Sequence, residues 1–321
     1  MASNEATGRG GGDRASRSQA DPAATRASSL RIPGYRNEGV LGIGGFGTVL
    51  ACRRESDGFP VAVKTVHRDD IIARARLIFE ARALAQIGPP HVPALYAQGQ
   101  LPDGRPYFVF ERLTLSRSLD RRLGRPMTAE VVRALAMPIL DAIAAAHQCG
   151  IIHRDIKPDN IFVGDLPATA KLIDFGLARP LDLSDRAMEA TATGILLGTP
   201  TYMSPEQCRG NRPIVAATDI YAMGVVLYEM LGGQPPFSGD AALVRIAHIG
   251  RRPPSLAARV AIAPELDAVV LRCLAKEPED RYQSIAELRP ALDHALGCPA
   301  PAPSPRSIGA KISASGNADV L

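Results

Sequence analysis

Cysteine and lysine are both sparse in this chain, with five of each. Five cysteines, at 52, 149, 208, 273 and 298, are scattered over 321 residues without a Cys-x-x-Cys pair. A disulfide scaffold or zinc site is therefore not expected, and a reducing, cytoplasmic location fits. No apolar run reaches the roughly 18 residues of a membrane helix, because Asp141 and Glu229 interrupt the best candidates. No repeat at a solenoid period is visible. Charge of one sign is not in large excess. The net charge of +4 and pI near 8.9 suit an anionic ligand without pointing to nucleic acid. Of 37 basic residues only Lys64, Lys157, Lys171, Lys276 and Lys311 are lysine. What is present is ordinary globular material: 46% hydrophobic and 22% charged residues, enough for one large domain or two small ones.

Residues 1–33, rich in Gly, Ala, Ser and Arg, read as a disordered arm. The arm lacks an apolar segment of the secretory kind, and Glu5, Asp13 and Asp21 argue against an organelle transit peptide. Residues 298–321 begin Cys-Pro-Ala-Pro-Ala-Pro and read as a flexible Pro-rich tail. Between them, short β-rich runs come first, around Val40-Leu41, 48–51 and 61–66, with glycines or Asp57-Gly58 between. A helix is expected from about Asp69 to Gln86, ended by Gly88-Pro89-Pro90. Strands near 94–97 and 107–110 follow. The remainder reads as mostly helical, over 129–148 with Thr128 as cap and Pro138 inside, then 217–231, 240–248, 264–275 and 284–295. A β-rich half before an α-rich half predicts two unequal lobes, with a ligand cleft between them.

Five constellations carry chemistry. In Gly42-Ile-Gly44-Gly45-Phe-Gly47-Thr-Val49 the glycines let backbone approach phosphate oxygens. Thr48 and Val49 continue into a strand rather than opening a helix, unlike a Rossmann turn, and no Walker Gly-Lys-Ser/Thr is present. A glycine-rich hairpin without ligand is the alternative. In Val61-Ala-Val-Lys64, strand alternation puts Ala62 and Lys64 on one face. In a chain that writes arginine almost everywhere, a compact ammonium here suits phosphate; an edge-strand lysine in solvent is the plain alternative. Glu80 lies on a helical stripe with Leu77, Leu84 and Ile87. A carboxylate there needs a partner, for which Lys64 is the best candidate, unless Glu80 sits at the helix edge facing water. The string His153-Arg154-Asp155-Ile-Lys157-Pro-Asp-Asn160, and Asp174-Phe175-Gly176 nineteen residues beyond Asp155, supply hard oxygen ligands, a separate carboxylate and a second scarce lysine.

These motifs, in this order, resemble the eukaryotic-like protein kinase family, most closely the bacterial serine/threonine-protein kinases. The resemblance covers the whole structured stretch. It implies an α+β, bilobal protein-kinase-like fold: a small antiparallel β-sheet lobe with one main helix, and a larger mostly helical lobe, with the ATP cleft between. The implied domains are an arm at 1–33, a kinase domain at 34–297 (small lobe and hinge 34–113, large lobe 114–297) and a tail at 298–321. Ser204-Pro205-Glu206 stands where the family has Ala-Pro-Glu, with Arg281 the expected partner of Glu206. Asp219-Ile-Tyr-Ala-Met-Gly224 resembles the helix that anchors the catalytic loop.

The resemblance further implies Mg-ATP as cofactor, with Mn2+ as a substitute metal, and a Ser/Thr protein as acceptor. Gly42, Gly44, Gly45 and Gly47 would cover the phosphates, and Lys64, fixed by Glu80, would neutralise them. Asn160 and Asp174 would hold the metal. Asp155 would orient and deprotonate the hydroxyl, with Lys157 on the moving phosphoryl and Thr199 contacting both. Leu41, Val49, Ala62 and Phe162 would line the adenine site, with Glu111 and Leu113 in the hinge and Phe110 as gatekeeper. Thr191 and Thr193 are the expected sites of autophosphorylation, with Arg154 nearby to receive the phosphate and a transient homodimer as a further partner; solvated loop threonines are the alternative. Lysine at 157 marks serine/threonine specificity. Neither a nucleic-acid partner nor a membrane span is expected. The alternatives are a silent pseudokinase scaffold and a small-molecule phosphotransferase. The first is disfavoured by intact catalytic positions, the second by the activation segment and Ser-Pro-Glu.

Overall fold

The computed structural model describes residues 30–45, 47–67, 71–114, 117–164, 169–175, 179–180, 200–210 and 212–300. Thr191, Thr193 and Thr199, most of both terminal segments, and the expected helix start at Asp69 lie outside the described residues. The chain divides into two compact units. The smaller comprises residues up to Ile78 with Leu95–Arg112, and the larger comprises Phe79–Ala94 with everything from Leu113.

Five strands build the smaller unit: β1 (Tyr35–Ile43), β2 (Gly47–Arg54), β3 (Pro60–Val66), β4 (Leu95–Gln100) and β5 (Pro106–Glu111). They form one antiparallel sheet in the order β1-β2-β3-β5-β4. Period-two alternation sorts its side chains. Leu50 and Cys52 of β2, Val61 and Val63 of β3, and Tyr107 and Val109 of β5 share one core with Ile32 and Leu101. Burial in that core pushes the Cys52 thiol up to about 12, so it packs as a small hydrophobe. The opposite face carries Val49, Lys64 and Phe108 in one row and Ala51, Ala62 and Phe110 in the next. The rings of Phe108 and Phe110 stack at 6.3 Å. Helix α1 (Ile71–Ile87) ends at Gly88, which adopts a left-handed φ of 71°.

The larger unit holds α2 (Ala129–Gln148), α3 (Pro205–Arg209), α4 (Ala216–Gly232), α5 (Ala241–Gly250), α6 (Pro264–Cys273) and α7 (Ile285–Gly297). Helix α4 is apolar nearly all round and buried along most of its length, as a central helix must be. Helix α2 packs on α4 and α7, and α6 packs on α4. On α2, Val132, Leu135, Ala136, Ile139, Leu140 and Ile143 bury one helical stripe. Arg133–Asp293 and Arg289–Asp141 pair across the α2–α7 junction, each at 2.7 Å. The Thr128 side chain accepts from the Val131 N–H as the expected cap.

The mostly helical expectation for this unit missed its short strands. These are β6 (Ile151–Ile152), β7 (Ile161–Val163), β8 (Ala170–Leu172) and β9 (Arg179–Pro180), which pair β6-β9 and β7-β8. Two or three residues are too few to show a period, and such strands exist only because a neighbour completes their hydrogen bonds.

Candidate active site

The string 153–160 runs from β6 to β7. Asp219, on the first turns of α4, fixes how it leaves the strand. This carboxylate, fully buried, accepts from the backbone N–H of His153 at 2.9 Å and of Arg154 at 2.8 Å. It also pairs with His147 Nε2 at 2.8 Å. Burial alone would raise its pKa, but the His147 hydrogen bond and the neighbouring imidazoles win and hold it below the usual carboxylate range. Arg154 takes a left-handed φ of 68°, a costly conformation for a residue other than glycine. Both sides of the residue are pinned: its N–H by Asp219, and its carbonyl by Gln207 Nε2 at 2.6 Å.

The turn gathers three side chains. Lys157 Nζ donates to Asp155 Oδ2 at 2.8 Å. Asn160 Nδ2 donates to the same oxygen at 3.0 Å and to the Asp155 carbonyl at 2.9 Å. Among the described residues Oδ1 of Asp155 carries no hydrogen bond, so it remains available to a hydroxyl. Asp155 and Lys157 side chains are 16% and 17% exposed, which leaves them reachable while Asn160 is buried. Because its Nδ2 is spent on Asp155, the Asn160 amide presents its oxygen as the acceptor end.

His153 ties this turn to the next motif. Its Nδ1 accepts from the Asp155 N–H at 3.3 Å, so Nε2 bears the proton and donates to the Ile173 carbonyl at 2.9 Å. Its ring lies 4.4 Å from that of the fully buried Phe175. The Ile173 N–H donates to the Asn160 carbonyl at 3.0 Å. Asp174, between these two anchors, has φ 64°. The two non-glycine residues in left-handed conformation among the described residues are thus Arg154 and Asp174, and such strain concentrates at functional sites.

In the smaller unit, the Gly44 N–H donates to the Gly47 carbonyl at 2.9 Å, closing the turn from β1 to β2. A Cβ on Gly47 would fall 2.4 Å from the Thr65 carbonyl oxygen, so the fold itself demands glycine there. Around Gly42 and Gly45 a Cβ would meet nothing within 4 Å. Nothing among the described residues requires those two glycines, which suits a surface kept bare for a ligand. Val49, Ala62, Lys64 and Phe110 share one sheet face, while Glu111 ends β5 and Leu113 follows it. Glu80 is buried on α1 with Leu77 and Leu84, as its stripe predicts. Phe162, on β7, is also buried.

Below the site, Glu206 and Arg281 form the expected pair, with Nη1–Oε1 at 2.9 Å and Nη2–Oε2 at 2.8 Å, both side chains almost wholly buried. Burial favours protonation of Glu206, but the bidentate guanidinium overrides it and keeps the carboxyl below its ordinary value. Sequence reasoning missed His147 and Gln207. His147 bears no local signal, since it acts through Asp219 far away in the chain; Gln207 shows only as the fourth residue of a Ser-x-x-Gln capping box begun by Ser204, which does not announce its bond to Arg154.

The fold and this loop are those of a protein kinase domain. The family model described as "Protein kinase domain" matches residues 35–294, and the chain belongs to that family. It is 38% identical over 278 residues to the serine/threonine-protein kinase Pkn1 of Myxococcus xanthus, covering 83% of this chain and 39% of that protein. It is also 38% identical over 260 residues to the serine/threonine-protein kinase PknB of Mycobacterium tuberculosis, covering 78% and 41%. The chain thus spans about two fifths of the length of the curated relatives it matches. The crystal structure of the Mycobacterium tuberculosis PknI kinase domain has a TM-score of 0.62 at 24% identity, over 84% of this chain and 98% of that one, a likeness of fold. Among the described residues, no helix is long and apolar enough to cross a membrane.

Proposed function

We propose that this chain is an ATP-dependent serine/threonine protein kinase, and that it phosphorylates its own activation segment. The observation that carries the reading is the turn in which Lys157 and Asn160 hold one oxygen of Asp155 and leave the other open. Phosphoryl transfer needs positioned charge more than covalent chemistry. Asp155 orients the acceptor hydroxyl through Oδ1 and takes its proton. The hydroxyl oxygen forms a bond to the γ-phosphorus as the bond to the bridging oxygen breaks, and ADP leaves. Lys157 neutralises charge on the moving phosphoryl group. Lys64, held by Glu80, neutralises the other phosphates, and Gly42, Gly44, Gly45 and Gly47 shelter them. Val49, Ala62, Leu41 and Phe162 would take the adenine, with backbone groups of Glu111 and Leu113 as its polar partners and Phe110 limiting the space behind.

Asp174 and the Asn160 amide oxygen are the hard donors that suit Mg2+. No group of three His, Cys, Asp or Glu side chains placed to hold a metal ion occurs among the described residues, so substrate phosphates and water would have to complete the coordination. Bound Mg2+ would supply charge neutralisation at those phosphates, and Mn2+ offers the same coordination chemistry.

Lysine at 157 supports serine or threonine as the acceptor residue. Thr199 is assigned to contacts with Asp155 and Lys157, and Thr191 and Thr193 to autophosphorylation, with a transient homodimer as the means. All five cysteines are free thiols, in keeping with the reducing conditions of the cytoplasm. Incubation with γ-labelled ATP and Mg2+, alongside Asp155→Asn and Lys64→Met, tests the reading. Label on protein in the unmutated chain alone supports it. Equal label in all three, or none in any, contradicts it. Peptide mass spectrometry of the active protein is expected to show phosphate on Thr191 or Thr193.

A further inference from the structure

The short helical turn Pro200–Tyr202 precedes α3, whose Gln207 grips the catalytic turn through the Arg154 carbonyl. Where residues 200–202 lie therefore bears on where an acceptor chain can lie beside Asp155. Two side chains hold this segment from below. Tyr202 donates its hydroxyl to Glu229 Oε2 at 2.6 Å. His248, on α5 and wholly buried, meets the Thr201 carbonyl through Nε2 at 2.9 Å and the Tyr221 hydroxyl through Nδ1 at 2.8 Å.

The chemistry fixes the direction of both His248 bonds. A carbonyl can only accept, so Nε2 carries the proton; a neutral ring then accepts at Nδ1, and Tyr221 donates. Phe237 meets the imidazole edge-on at 5.1 Å, and Lys276 secures the last turn of α5. Its Nζ donates to the carbonyls of Ala247 at 3.3 Å and His248 at 2.9 Å, 5.0 Å from the Phe237 ring centroid. Burial, and then the Lys276 charge, push the His248 pKa down to about 4, which keeps the ring in the neutral form this arrangement needs.

We propose that His248 is a positioning residue for the protein acceptor: it clamps the Thr201 carbonyl and so sets the 200–202 segment, while Tyr221 and Lys276 hold the imidazole in register. The proposal rests on the kinase reading. It concerns a residue that touches neither nucleotide nor the reacting atoms.

The test is steady-state kinetics on the full chain with one acceptor protein, comparing His248→Phe and His248→Gln. Phenylalanine keeps the ring contacts and removes the donor, whereas glutamine can restore an N–H to Thr201. His248→Phe is expected to raise the KM for acceptor about fivefold, the worth of one neutral hydrogen bond, with the KM for ATP unchanged. His248→Gln is expected to recover most of that loss. An unchanged acceptor KM in His248→Phe, an equal rise in both KM values, or no recovery with glutamine would overturn it. If His248→Phe does not fold, Tyr221→Phe, which removes a single oxygen, must raise the acceptor KM in the same direction, and an unchanged value there overturns the proposal. An inactive unmutated chain would fail the kinase reading itself, which the control shows before any variant is compared.

Discussion

The catalytic turn of the larger unit and the glycine-rich turn of the smaller one are built on opposite plans. In the first, nearly every polar group is committed: Asp219 holds two backbone N–H groups, His153 bridges to Ile173, and Asn160 and Lys157 converge on Asp155. In the second, the described residues show one hydrogen bond closing the turn, and among them Gly42 and Gly45 face open space. The contrast teaches a division of labour. On the proposed kinase reading, groups that act on a forming charge are fixed in advance, where reorganisation would slow the chemistry. On the same reading, groups that only cover a ligand are left bare.

The comparison breaks most severely at Asp155. Asp155→Asn keeps the shape of the turn but removes the proposed base. Turnover is expected to fall about 1,000-fold with little change in the KM for ATP, as steady-state kinetics would show. A loss confined to KM would mean that the preset turn serves binding instead.

The brace beneath the turn comes next. Arg281→Met leaves the Glu206 carboxylate buried and unmatched, a change that typically costs about 3–5 kcal/mol. Denaturant unfolding is expected to show that loss. A cost below about 1 kcal/mol, the level of a surface pair, would show that the larger unit does not depend on this buried pair.

The preset region should also respond to acid. His248 stays neutral in the folded chain down to about pH 4, against an ordinary value of 6.5. The unfolded chain therefore takes up a proton below about 6.5 that the folded chain refuses. The stabilisation is complete above pH 6.5 and is lost as pH falls towards 4. Between pH 7 and pH 5 the loss should be about 2 kcal/mol, and His248→Gln should remove that part of the pH dependence. Parallel pH profiles for the two proteins would contradict this.

The smallest effects belong to the open turn, and they separate its glycines. Gly47→Ala meets the Thr65 carbonyl and should destabilise the chain by about 1–3 kcal/mol. Gly45→Ala should change stability by less than about 0.5 kcal/mol while raising the KM for ATP. Equal effects on stability would erase the distinction between the two positions.

Much of this was legible in the residues. Helix α2 showed in its 3.6-residue stripe and its Thr128 cap, the central helix α4 in a run apolar on every side, and the small sheet in alternation punctuated by glycine. The valines on either side of Ala62 fall on the core face as that alternation requires. Asp155, Lys157, Asn160 and Asp174 stood out because they cluster in two short strings. What could not be read depends on distance in the chain or on backbone shape. The left-handed conformations of Arg154 and Asp174 leave no trace in side-chain chemistry. His147 meets Asp219 across 72 residues, and His248 meets Thr201 across 47. The strands β6 to β9 are shorter than any period that could announce them.

The most direct measurement couples nucleotide to acceptor in one reaction: ADP released against phosphate recovered as phosphoserine or phosphothreonine, over time. One ADP is expected for each phosphorylated hydroxyl, with both signals lost together in Asp155→Asn. ADP formed without phosphorylated serine or threonine, or transfer that survives in Asp155→Asn, would contradict it.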